Sequence, residues 1–127
     1  MRATSTSWKR IPFTAGVPLP YRATFDAHQL ELLKRGFIPR NMDDKWFIYY
    51  EEPYLYLHRS WTGLPKYRVT LKNIANGADV SEALCSSPLA DISPVSLDYE
   101  AALLDLFVSN ILLGQAKPLP PKPKTLN

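Results

Sequence analysis

Nine of the fifteen aromatic side chains of this chain fall between Phe37 and Tyr67. Aromatic and β-branched side chains fit a pleated, half-buried surface, so this block demands a sheet. Lys45-Trp46-Phe47-Ile48-Tyr49-Tyr50 reads as a strand, Glu51-Glu52-Pro53 as its turn and Tyr54-Leu55-Tyr56-Leu57-His58-Arg59 as the return. Ser60–Pro65 form the next turn. In Lys66–Leu71, Tyr67, Val69 and Leu71 alternate with Lys66, Arg68 and Thr70, the two-residue period of a third strand. The first two strands are apolar on both faces, which predicts a hairpin covered on both sides.

Helices flank this block. Asp26 with Gln29 three residues on makes a capping box, Phe25 and Leu30 a staple, and Gly36 a left-handed stop, predicting a helix over 26–35. After Asn76-Gly77, Asp79 and Glu82 frame a short helix through Leu84, and 86–95 read as a Ser/Pro-rich connection. A strongly apolar helix then starts at Ser96 or Asp98 and ends before Gly114. Leu103, Leu104, Phe107, Val108 and Ile111 spread around more than half of its circumference, as in a core helix. The expected fold class is α+β: a three-stranded antiparallel β-meander packed against two or three helices. Prolines mark its bounds, leaving a basic Pro-containing arm (1–20), a single α+β domain (21–116) and a flexible Pro/Lys-rich tail (117–127). The tail contains Pro118-x-x-Pro121, which could meet an aromatic groove on a partner, although a solvated tail is the simpler reading.

With 127 residues, 46% of them hydrophobic, the chain can bury a core without metal or disulfide staples. Cys85 is the single cysteine, so no internal disulfide forms and a reducing compartment is the simplest home. Residues 1–20 hold no apolar signal-like core, and no apolar run approaches the roughly 18 residues of a membrane span. A cytoplasmic protein with no membrane partner is expected. The net charge of +3 comes from the two ends, since 21–116 hold nine basic against twelve acidic side chains. That distribution does not suit a nucleic-acid partner. Residues 21–72 carry nine cations and six acids, whereas 73–116 carry six acids and no cation. Either an anionic ligand sits near the first segment or two oppositely charged surfaces face each other.

The five glycines are at least fourteen residues apart, which excludes a dinucleotide fingerprint and a P-loop. Two histidines and one cysteine make no zinc site of the usual kind, and no cofactor is implied. A Cys85–His58 nucleophilic pair is conceivable, but a buried inert thiol is the better reading. Asp43-Asp44 and Glu51-Glu52 read as solvated turn residues. What remains is His58-Arg59-Ser60-Trp61-Thr62-Gly63. If Glu51–Pro53 form a three-residue loop, Trp46 faces His58 and Lys45 faces Arg59 across the hairpin. Lys45, Trp46, His58, Arg59, Ser60, Trp61 and Thr62 then gather at one sheet edge. Guanidinium, ammonium, hydroxyl and indole groups together suit a nucleotide-like small-molecule anion. The structural alternative has Arg59 paired with Asp43 or Asp44 and both tryptophans in the core.

Asn41-Met42-Asp43-Asp44-Lys45-Trp46-Phe47-Ile48-Tyr49-Tyr50, followed by Leu55-Tyr56-Leu57-His58-Arg59-Ser60-Trp61-Thr62-Gly63, resembles a small, poorly characterised bacterial family. Its marks are a Lys-Trp-Phe strand and an Arg-Ser-Trp-Thr-Gly turn. The resemblance covers residues 37–71 and implies an association with ADP-ribose-processing proteins such as ADP-ribosylglycohydrolases and macrodomains. It carries over no catalytic residue. The chain lacks the acidic metal-binding motifs of the glycohydrolases, which argues against that activity here. Two functions follow as expectations: binding of an ADP-ribose-type anion at the Arg59–Thr62 turn, or a protein-interaction module, such as an immunity protein or antitoxin, with an aromatic contact patch around Tyr54 and Tyr56.

Overall fold

The structure, a computed structural model, describes residues 2–86 and 93–122. The expected meander is there: strands β3 (Trp46–Glu51), β4 (Tyr54–Arg59) and β5 (Pro65–Ile74) pair antiparallel. The sheet continues, however, into a long strand β6 (Gly77–Ser86). Two short strands, β1 (Gly16–Pro18) and β2 (Thr24–Asp26), lie along the outer side of β6. The result is a six-stranded antiparallel sheet of order β1-β6-β5-β4-β3, with β2 also on β6. Two helices accompany it among the described residues: α1 (Ala27–Arg35) and α2 (Pro94–Phe107), the latter continued by a π-helical turn at Val108–Leu112.

The expectation of a three-stranded meander with two or three helices is therefore overturned. Sheet dominates this fold. Its cause lies in β6, where the reading of a short helix through Leu84 fails. Leu71 pairs with Val80 but Thr70 pairs with Glu82, so Ser81 is the extra residue of a β-bulge. Ala78 and Val80 are buried before the bulge, Ala83 and Cys85 after it. The step from 80 to 83 breaks the two-residue period and imitates helical spacing. Asn76, at a φ of 64°, closes the two-residue hairpin turn that leads into Gly77. β1 escapes notice because Pro18 reads as a breaker, yet an edge strand tolerates it, and β2 because Phe25 and Asp26 read as the start of the helix.

The helices begin and end by their local chemistry. The Asp26 carboxylate accepts from Gln29 N (2.8 Å), and Gln29 Oε1 accepts from Asp26 N (3.0 Å). Gly36, at a φ of 66°, ends α1. α2 starts earlier than expected because Ser93 is its N-cap and Pro94 occupies the first turn. Both helices cover one face of the sheet. Leu33, Leu104 and Val108 meet Ile48, Leu57 and Tyr67 in the main core. The N-terminal arm covers the other face at the β3–β4 corner. There Ala3 is buried with Phe47 and Tyr49, and Trp8 packs beside them. The hairpin is covered on both sides because two different elements lie on it. Lys117, the first residue of the tail, is held by Asn110 through its own backbone N–H and carbonyl (2.9 Å each). Its ammonium donates to Asp105 (2.8 Å). Residues 123–127 lie outside the described residues, and no described helix is long and apolar enough to cross a membrane.

Candidate functional site

The loop after β4 is fixed from three directions. Within it, Gly63 N donates to the Arg59 carbonyl (2.8 Å) and Arg59 N to the Leu64 carbonyl (2.9 Å), with Gly63 at a φ of 77°. From β3's side, Ser60 N donates to the Lys45 carbonyl (2.9 Å) and Ser60 Oγ to the Asp44 carbonyl (2.6 Å). From the arm, Trp8 Nε1 donates to the Ser60 carbonyl (2.7 Å) and Ile11 N to the Gly63 carbonyl (2.8 Å). A loop tied by this many backbone bonds presents its exposed side chains on a preorganised platform.

The hairpin register differs from the expected one. Glu51 pairs with Tyr54, which leaves a two-residue loop, so Trp46 opposes Arg59 and Phe47 opposes His58. A one-residue slip moves side chains to the other face of a sheet. It removes the expected Trp46–His58 and Lys45–Arg59 pairs and makes two cation–π pairs instead. The Arg59 guanidinium lies 5.1 Å from the Trp46 ring centre, and the Lys45 ammonium 4.3 Å from that of Trp61.

Of the seven residues singled out from the sequence, four meet at a cleft of about 280 Å³: Lys45, Arg59, Trp61 and Thr62. Trp61 is 51% exposed. Its indole N–H donates to the Met42 carbonyl (2.9 Å), as does Lys45 Nζ (3.3 Å), which orients both rims. Thr62 Oγ1 accepts from Leu64 N (3.2 Å) and keeps its own proton to donate. The other three are buried. Trp46 belongs to the core, its ring 4.5 Å from that of Phe107. Ser60 spends its hydroxyl on the Asp44 carbonyl. His58 lies on the arm-covered face among Phe47, Tyr49 and Tyr56.

Among the described residues neither Lys45 nor Arg59 makes an ion pair, and Asp44, one of the two partners that the structural alternative gave Arg59, is paired with Arg40 (3.2 Å). The Arg40 backbone N–H and guanidinium hold the Asp44 carboxyl below its ordinary value. Asp43, Glu51 and Glu52 are exposed.

His58 is structural. Its Nδ1 bonds the Gly63 carbonyl (3.0 Å), so that nitrogen carries the proton, while Nε2 is buried without a partner among the described residues. Burial lowers its pKa, outweighing the Gly63 contact, which raises it. The unfolded chain protonates this ring near pH 6.5 and the folded chain only lower. The stability contributed by neutral His58 is thus full above about pH 6.5 and is lost as pH falls below it. Melting should drop between pH 7 and 5 in the wild type, and by clearly less in His58→Gln. Equal pH slopes in the two proteins would contradict this assignment.

Cys85 is buried on the helix-covered face, opposite to His58, so the conceivable nucleophilic pair does not form. Burial pushes its thiol up to about 11, the value of an inert cysteine. Among the described residues no three His, Cys, Asp or Glu side chains come together as a metal site requires.

Beside the cleft lies a groove of about 350 Å³ that shares Lys45 with it and is walled by Phe37, Trp46, Phe107 and Ile111. Its helical side comes from a segment remote in sequence, and no local spacing announces it. No family model matches the chain, and neither a curated protein nor a solved structure matches it significantly.

Proposed function

We propose that this chain binds a nucleotide-like anion, of ADP-ribose type, in the cleft between Lys45 and Arg59. The observation that carries this reading is a pair of cations, without an ion pair among the described residues, lining one cleft with a half-exposed indole and a hydroxyl. Arg59 offers a bidentate fork to phosphate, Lys45 a compact charge and Thr62 a neutral donor. The local resemblance of residues 37–71 to a family associated with ADP-ribose chemistry supports the same choice. A cytoplasmic setting, where such anions abound, agrees with a lone reduced thiol.

Tyr54 and Tyr56, the patch of the interaction-module reading, are half-buried, and Arg68 lies 4.4 Å from the Tyr54 ring centre. The large apolar side chains exposed to a protein partner are instead Ile11, Met42, Trp61, Leu64, Ile74, Val95 and Leu119 among the described residues. Calorimetric titration with ADP-ribose and inorganic pyrophosphate tests the proposal. Saturable heat that declines with added salt is expected for a cationic site. Absence of heat for both at millimolar ligand removes it.

A further inference from the structure

We infer that the groove beside the cleft is a nucleoside subsite, so that the whole occupant is a nucleoside diphosphate or its sugar conjugate. This rests on the anion reading above and goes further in assigning the second half of the ligand. Ligand sites usually enclose roughly 300–1,000 Å³. The cleft at about 280 Å³ falls just short of that range by itself, and the adjoining groove adds about 350 Å³ across the shared Lys45.

The groove has a chemistry of its own. Phe37, Phe107 and Ile111 give it an apolar wall suited to a flat ring. Asp43 lies at its polar side, exposed, and among the described residues only its backbone N–H is engaged, by Asn41 Oδ1 (2.9 Å). A carboxylate there repels a second anion and accepts from neutral hydroxyls. The ring-bearing, hydroxyl-bearing, uncharged half of a nucleotide meets both demands: the base against the apolar wall, the ribose diol on Asp43. The π-helical turn supplies the far side through Asn110 and Ile111, and such turns recur at functional sites. The Asn110 amide is already committed to the Lys117 backbone, which fixes that side of the groove.

Calorimetry on the full chain with pyrophosphate, ADP and 2′,3′-dideoxy-ADP at one salt concentration tests this. ADP should bind at least about tenfold more tightly than pyrophosphate. Asp43→Asn should weaken ADP roughly fivefold and leave pyrophosphate within about twofold. The dideoxy analogue should reproduce that loss in the wild type, so the diol contact is read even if the variant folds poorly. Equal affinities for ADP and pyrophosphate would overturn the nucleoside subsite while leaving the anion cleft standing. Full-strength binding of dideoxy-ADP would overturn the role of Asp43. No binding by any of the three would remove the anion reading itself, and this one with it.

Discussion

Gly77→Ala should cost about 3 kcal/mol or more, enough to threaten folding altogether. A Cβ at this position would stand 1.9 Å from the Phe25 carbonyl oxygen, 2.9 Å from its carbonyl carbon and 3.1 Å from Asp26 Cα. All three atoms are backbone, so no side-chain rotation relieves the clash. β2 would have to leave β6. Asp26, which pairs with Gly77, is also the N-cap of α1, and the loss would spread to that helix. Urea unfolding of the two proteins measures the effect. A variant within about 0.5 kcal/mol of wild type, the usual range for an inconsequential surface change, would mean that β2 does not lie on β6.

The same position shows where the sequence is legible and where it is not. Features written in adjacent residues came through: the Asp26–Gln29 capping box, the Gly36 stop and the alternation of Tyr67, Val69 and Leu71. β6 did not, because the Ser81 bulge shifts its phase and because Asn76-Gly77 serves a hairpin as readily as a helix start. The candidate site divides along the same line. Lys45, Arg59, Trp61 and Thr62 come from the ends of two neighbouring strands and one turn, so chain order alone brings them close. Which of them touch depends on the hairpin register, and one residue of loop length separates an Arg59–Lys45 pair from an Arg59–Trp46 pair. Ser60 and His58 looked chemical but serve the loop, since their partners are backbone carbonyls that no local pattern reveals. Phe107 and Ile111 reach the groove only through tertiary packing of α2.

Arg59→Ala should weaken ADP-ribose about tenfold to a hundredfold with little loss of stability. A hydrogen bond to a charged group is worth roughly 1.5–3 kcal/mol, and 1.4 kcal/mol is a factor of ten in affinity. Removing a bidentate fork therefore takes at least one decade. Stability should change little because Arg59 is exposed, makes no ion pair among the described residues and contributes only its contact with Trp46. Such an exposed cation–π contact is worth about 0.5–1 kcal/mol. Arg59→Lys should recover part of the affinity, as an ammonium keeps the charge but not the fork. Unaltered affinity in the alanine variant would contradict the assignment. So would a loss of several kcal/mol of stability, which would place Arg59 in a structural role.

The most direct test locates the ligand on the chain. Backbone amide chemical shifts followed by NMR during titration with ADP-ribose report which residues sense it. A ligand in the cleft and groove should give saturable shifts at residues 43–46 and 59–62, extending to 107–111, with the arm-covered face around Phe47 and Tyr49 unmoved. No shifts at saturating ligand, or shifts confined to residues outside the cleft and groove, would contradict that placement.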